Sequence, residues 1–546
     1  VKGGFGRFRC ARVRRLNHAP RVTDPAVQSK PASKPAGALL APLAITLILC
    51  LAAAARPYLV LTTHATEEDF FISLRYARNL AAGEGFVYNP GSHVLGATSP
   101  LYILILAGFF LAHLSPVLWG KLAGIGADLI SCWAAWRICG GYRKPVAGLA
   151  AALLVAFAPT NLLWSAKGME VELVAAAAAV AWMWWLQGRE VAAWIAAAVL
   201  VLLRIDGLAT PLIMAAGSAA FKRRVSIRAV GLFTLILLPW LVFSTAYFGS
   251  PAPVSIRAKL IVYAWSFSRS PFPNLGSFVV DMTHNPLSAL IAIGALFCVA
   301  ICISAIAGAR PGEAGFHDYR LLAPPICWLA VYYGSMAFSK VFLFGWYFVP
   351  PTPVYYAVSA LGWSAAFQLA ARWRPIQSIA ESGLSPSVAS ALILVAALPP
   401  AAAAIRRVRS DLVRAQHGED ALRIRIGTWL LHHARPGDTV MLEPIGYAGY
   451  ISRLKVLDTV GLVSPEVLKY YRRGGIHPYH WMWSRYRPEW ILLRAQELVD
   501  LRRSELALPP SERLEASYQK AAEFASNGAP AGSPPAFTLF RERRRT

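Results

Sequence analysis

Between about residue 37 and residue 404 the chain is a succession of apolar blocks, each near or somewhat below the length of a bilayer-spanning helix. A soluble core cannot absorb them: 56% of the 546 residues are hydrophobic and the mean hydropathy is +0.45. Lipid leaves no partner for an open backbone, so blocks of this kind fold as helices. The chain reads as an α-helical polytopic membrane protein. Spans are expected near 37–55, 116–137, 145–158, 171–187, 191–203, 208–221, 228–247, 286–308, 321–337, 347–370 and 387–404, about eleven in all. A shorter run, 101–113, suits a re-entrant or tilted piece under a loop.

Charge sets the expected orientation. Residues 1–36 are rich in Arg, Lys, Pro and Ser and read as a disordered basic cytoplasmic tail. Arg143 and Lys144, Lys222 to Arg224, and Arg372 with Arg374 mark further inner loops. The first block reads as a retained helix and not a cleaved signal peptide. An odd count of spans then puts the amino terminus inside and the carboxyl terminus outside the cytoplasmic membrane. These flanks account for most of the net charge of +25, so nucleic acid is not an expected partner. Of the seven cysteines, Cys50, Cys132, Cys139, Cys298, Cys302 and Cys327 lie in or beside apolar blocks, and only Cys10 does not. None form a metal-spaced pair or a disulfide framework.

Three outer loops are expected, 56–115, 159–170 and 248–285. In the first, Phe70, Phe71, Leu74, Ala77, Leu80 and Ala81 recur at helical spacing, opposite Arg75, Arg78 and Asn79. This predicts a short amphipathic helix lying on the membrane surface with Phe and Leu in the lipid boundary. Glu67, Glu68 and Asp69 stand at its start. They fit the positive end of a helix dipole behind a Thr66 N-cap, or they fit chemistry, and the two readings are compatible.

Residues 405–546 change character. Period-two runs at Thr439–Leu442, Lys455–Val460, Trp490–Leu493 and Phe537–Phe540, with a helical pattern over Asp420–His433, predict a small extracytoplasmic α/β domain. The membrane domain is thus 37–404.

The outward-facing polar groups converge on one side: Glu67, Glu68 and Asp69 from the first loop, Glu170 from the second, Arg204 and Asp206 at a helix end, and Arg257 and Lys259 from the third. Carboxylates can take a proton from a hydroxyl, and cations can hold a departing phosphate. That division suits sugar transfer from a lipid phosphate. Plainer roles exist for each: an Arg204–Asp206 structural ion pair, lipid head groups on Arg257 and Lys259, a solvated loop around Lys167 and Glu170, surface positions for His64 and His93, and a turn carboxylate at Glu443.

The segment Glu68-Asp69-Phe70-Phe71-Ile72-Ser73-Leu74-Arg75-Tyr76-Ala77-Arg78, followed by Gly85-Phe86-Val87-Tyr88-Asn89-Pro90-Gly91, resembles the first-loop signature of GT-C fold glycosyltransferases. The nearest group is the mycobacterial terminal arabinofuranosyltransferases and their bacterial relatives. Ser165 to Glu170, Arg204 to Gly207, Tyr247 to Lys259, Trp346 to Pro350, Gly446 to Tyr450 and Val456 to Leu462 resemble further motifs of that group in the same order, over most of residues 37–500. Departures fall at Glu68, Ser92, Gly96 to Ser99, and Val254-Ser255, and bear on the sugar and the acceptor. The resemblance implies a polyprenyl-phosphate-sugar donor, with an arabinofuranosyl or other pentose or hexose unit. It implies an envelope glycan, glycolipid or protein as acceptor. Asp69 is then the base, assisted by Glu68. Arg204, Arg257 and Lys259 hold the donor phosphate, and Glu170, Asp206 and Arg75 contact substrate. The spacing requires no cofactor; a divalent cation remains open. The rivals are a lipid-linked saccharide flippase, which needs charges along a path through the bilayer, and a non-catalytic scaffold of envelope assembly.

Overall fold

The structure is a computed structural model that describes residues 40–141, 144–266, 274–276, 285–308, 316–371, 386–473, 475–526 and 535–543. The expected tail 1–36 with Cys10, the basic residues Arg143, Arg372 and Arg374, and much of the third outer loop lie outside them.

The membrane part is helical throughout: α1 (Leu40–Thr63), α2 (Glu68–Ala81), α3 (Pro100–Leu111), α4 (Pro116–Gly141), α5 (Pro145–Phe157), α6 (Pro159–Ser165), α7 (Val171–Leu186), α8 (Glu190–Leu203), α9 (Ala209–Phe221), α10 (Ile227–Phe248), α11 (Val254–Ser266), α12 (Pro286–Ile306), α13 (Ala323–Ala337), α14 (Thr352–Ala370) and α15 (Pro386–Ala415). Among the described residues, five helices are long and apolar enough to cross a bilayer, or six if α5 and α6, bent by 50°, form one span. The expected count of about eleven includes shorter apolar helices such as α7, α8 and α9, which bury small residues against their neighbours. Alanine is the commonest residue of the core, and Ala178, Ala179 and Ala197 are fully buried beside Trp182 and Trp185. Small side chains let helix axes approach closely where lipid supplies no hydrophobic drive. Charge is not confined to the loops. Arg56 of α1 and Asp128 of α4 form a buried ion pair, and Arg56 also donates to the Ala156 carbonyl at 3.1 Å.

The last span does not stop at 404. α15 continues through a π turn at Gln416–Asp420 into α16 (Ala421–His433), so the boundary expected at 405 falls inside a helix. This helix carries the α/β domain. Its sheet comprises β1 (Thr439–Leu442), β2 (Lys455–Asp458), β3 (Trp490–Arg494), β4 (Tyr518–Phe524) and β5 (Phe537–Glu542), in the order β2-β1-β3-β5-β4. β2, β1 and β3 run parallel, and β5 and β4 antiparallel. The parallel strands are buried on both faces, which makes them legible as apolar runs. β4 is absent from the sequence reading because it is an edge strand: only Tyr518 and Phe524 at its ends are buried. Four further helices decorate the sheet, α17 (Gly446–Ser452), α18 (Pro478–Tyr486), α19 (Ala495–Glu505) and α20 (Leu514–Ser517).

α2 is a helix where expected, but it does not lie in a lipid boundary. It is clamped between α3 and α17 of the α/β domain. Phe70, Leu74 and Ala77 are buried, and Phe71 packs on Tyr447 and Tyr450 at ring distances of 4.1 and 5.4 Å. The polar face is buried as well. Asn89 pairs with the free edge of β2 as a strand would, donating to the Val456 carbonyl at 2.8 Å and accepting from its N–H at 3.0 Å. Gly446 is needed at this seam, since a Cβ there would strike the Glu68 carbonyl.

Candidate functional site

The three consecutive carboxylates point three ways. Glu67 is the residue that precedes the first turn of α2, in place of the expected Thr66, and its side chain makes no cap bond. It reaches Lys167 of the second loop at 2.6 Å. Glu68 turns into the domain seam, where it accepts the Tyr447 N–H at 3.1 Å and lies 3.9 Å from Arg423. Burial pushes its carboxyl up to about 8, against the pull of Arg423. Asp69 turns the other way and lines a cavity of about 560 Å³. Burial raises its carboxyl to about 6, and Lys259 offsets part of that rise.

The cavity gathers residues from all three loops expected to face one side. Glu170, Arg204, Asp206 and Lys259 line it with Asp69. Arg204 forks onto Asp206, at 2.8 and 3.2 Å, and stands 3.8 Å from Glu170. The expected structural ion pair therefore exists, and it sits in the cavity wall. Lys259 projects from α11 and meets the Tyr347 hydroxyl at 3.3 Å. Arg204 lies over the face of the same Tyr347 ring at 5.2 Å, so one aromatic fixes both cations. Apolar side chains of α11, α13 and the segment before α14, among them Leu260, Met336 and Leu343, line the rest. Leu462 of the α/β domain closes one wall, beside Gly96, where a Cβ would strike the Leu462 carbonyl.

Three expected site residues lie elsewhere. Glu68 faces the domain seam. Arg257 is exposed on α11, two residues from Lys259 and on another face of the helix. Arg75 is buried and committed to carbonyls, donating to Gly449 at 2.5 Å, Leu454 at 2.6 Å and Tyr88 at 2.9 Å. It anchors the domain and does not line the cavity. Tyr347, Tyr332 and Ser255 line the cavity without having been singled out as site residues. Tyr347 lay within the quoted Trp346 to Pro350 motif and Ser255 within the Tyr247 to Lys259 motif, as one of its departures; Tyr332, a lone tyrosine in an apolar run, gives no signal. Glu443, read as a turn carboxylate, does follow a strand, and it pairs with Arg494. His93 is exposed and stacks on Tyr247 at 4.1 Å. Among the described residues, no group of three or more His, Cys, Asp or Glu gathers in a way that could hold a metal ion.

Comparisons with known proteins place this architecture. Residues 407–540 match a family described as a domain of unknown function (DUF8728). A comparison with curated proteins by sequence gives no match. Among solved structures, the chain is similar to ArnT from Cupriavidus metallidurans bound to undecaprenyl phosphate. The TM-score is 0.52 at 13% identity, covering 91% of this chain and 97% of that one. It is similar also to the Archaeoglobus fulgidus oligosaccharyltransferase tethered with an acceptor peptide, with a TM-score of 0.55 at 12% identity, covering 92% of this chain and 74% of that one. The chain is a multi-pass membrane protein with the GT-C fold.

Proposed function

We propose that the chain is a glycosyltransferase that moves a sugar from a polyprenyl-phosphate donor to an acceptor hydroxyl. The observation that carries this reading is the meeting of the Asp69 carboxylate with Lys259 and Arg204 in one largely apolar cavity. Asp69 takes the acceptor's O–H proton as that oxygen attacks the anomeric carbon. The bond from that carbon to the phosphate oxygen breaks, and the polyprenyl phosphate leaves with the electron pair. Lys259, and Arg204 behind it, stabilise the charge that develops there. Glu170 and Asp206 hold Arg204 in place and present carboxylate oxygens to sugar hydroxyls. The proton on Asp69 passes to water. ArnT, the neighbour with undecaprenyl phosphate bound, and the oligosaccharyltransferase with its acceptor peptide are the precedents for a lipid-linked donor and an acceptor on this fold.

In this reading the site opens on the outer face of the cytoplasmic membrane, and the acceptor is an envelope glycan, glycolipid or protein. Pentoses, arabinofuranose first, are the donors to try. Lys259 and Arg204 supply the positive charge that a divalent cation would otherwise bring, so chelation is expected to leave transfer within about twofold. The test uses membranes carrying wild type or Asp69→Asn, offered radiolabelled polyprenyl-phosphate sugars and native envelope acceptors. Transfer by the wild type that is lost in a variant inserted at equal level is the expected result. Equal transfer by both would remove Asp69 as base. The buried Arg56–Asp128 pair answers part of what a flippase requires, but its guanidinium is already taken up by Asp128 and the Ala52 and Ala156 carbonyls. Vesicles in which the protein moves lipid-linked sugar without forming a glycosidic bond would favour that rival.

A further inference from the structure

The strand order of the α/β domain implies a crevice that the proposed chemistry leaves unused. In the order β2-β1-β3, strand β1 is central and its two parallel neighbours lie on opposite sides of it. The chain leaves β1 toward β2 and reaches β3 only after crossing back. Right-handed connections therefore depart to opposite faces at the carboxyl ends of β1 and β3. Open α/β sheets bind ligands in the crevice so formed.

Polar side chains stand at that point. Glu443 directly follows β1, and Arg494 ends β3. They form an ion pair, and Arg494 also meets Glu497 of α19 at 3.3 Å. Glu497 accepts from the Tyr479 hydroxyl at 3.2 Å. Arg494 lies 5.9 Å from the centre of the Phe537 ring. The groups are in reach of a ligand: the side chains of Arg494 and Glu443 are 39% and 25% exposed. The carboxyl end of β1 adjoins α2, the helix that carries the proposed catalytic carboxylate. Glu443 is three residues before Gly446, which rests on the Glu68 carbonyl.

We infer that the Glu443–Arg494–Glu497 cluster, at the carboxyl ends of β1 and β3, binds the acceptor as a neutral polyhydroxylated chain. The inference rests on the glycosyltransferase reading and gives the acceptor its chemical class. Two carboxylates around one guanidinium offer paired donors and acceptors that match vicinal hydroxyls. Their sum is one negative charge, which disfavours a phosphorylated or acidic acceptor at this position.

The test is binding, measured by saturation-transfer NMR on the full-length protein in detergent. The probes are neutral arabinofuranosyl, mannosyl and glucosyl tetrasaccharides and the same three carrying a terminal phosphate. At least one neutral member is expected to bind, its phosphorylated form more weakly. Arg494→Gln and Glu443→Gln should each lower affinity at least about tenfold through the lost charged hydrogen bonds. Arg494→Lys, which keeps the charge and loses the planar fork, should behave like Arg494→Gln. Absence of binding by every neutral probe, tighter binding of the phosphorylated forms, or wild-type binding by all three crevice variants at unchanged melting temperature would overturn the inference. Failure of the transferase reading shows separately, as sugar transfer undiminished in Asp69→Asn.

Discussion

Asp69 and Glu68 are neighbours in sequence and belong to different parts of the molecule, and titration tells them apart. With Asp69 raised to about 6 by burial, the proposed base is protonated below that pH. The rate, measured as kcat/KM, should fall about tenfold per pH unit on the acid side of 6 and flatten above it. Lys259 is the leading group holding that value down. Lys259→Gln should therefore move the acid limb to higher pH as well as slowing transfer, a shift that a purely structural lysine would not produce. Glu68 gives the opposite signature. Its carboxyl is raised from 4.5 to about 8 in the fold, so its contribution to stability is full below 4.5 and is lost as pH rises through 8. Glu68→Gln should keep at least half of the transfer rate and melt higher than wild type at pH 8.5, checked by thermal denaturation across pH. The sequence pattern showed that carboxylates gather here; it did not show their directions. A helix turns its side chains by about 100° per residue, and which of three successive acids meets the cavity depends on what packs on each face.

α2 shows what hydrophobic periodicity carries and where it stops. Its helical spacing was legible, as were most helices and four of the five strands. Its partner was not. A stripe of Phe70, Leu74 and Ala77 reads alike whether it meets lipid or protein, and only the third dimension brings α3 and α17 to it. The buried Arg75 was the hint, since a cation on a membrane-surface helix should reach water, yet here it reaches Gly449, Leu454 and Tyr88. Arg75→Ala should leave those three carbonyls short of donors and cost about 3 kcal/mol, on the net scale of charged hydrogen bonds. The expected readout is a lower melting temperature together with a reduced kcat, because α2 carries Asp69 on its first turn. Arg257→Ala, exposed on α11, should change neither by more than about 0.5 kcal/mol. The edge strand β4 escaped reading for a related reason: with its middle residues exposed, it has no apolar alternation to find.

At the scale of the whole molecule, one face carries everything the proposed reaction uses. The α/β domain touches α2 through α17, and it touches α11 through Val467 and Leu468, which pack with Ala258 and Val262. It thus braces the two elements that carry Asp69 and Lys259, and it closes the cavity with Leu462. The site and the domain must then face the same compartment. The charge pattern of the loops predicts that this compartment lies outside the cytoplasm, where a donor would arrive on a lipid. Single-cysteine labelling checks this directly. In a background with the native cysteines replaced, Arg472→Cys, exposed on the α/β domain, should react in intact cells with a maleimide that does not cross membranes. Arg224→Cys, exposed between α9 and α10, should react only after the cells are opened. The reverse pattern would place Asp69 and Lys259 in the cytoplasm, where sugar nucleotides are at hand. A polyprenyl-phosphate donor would then lose its rationale even with every distance in the cavity unchanged.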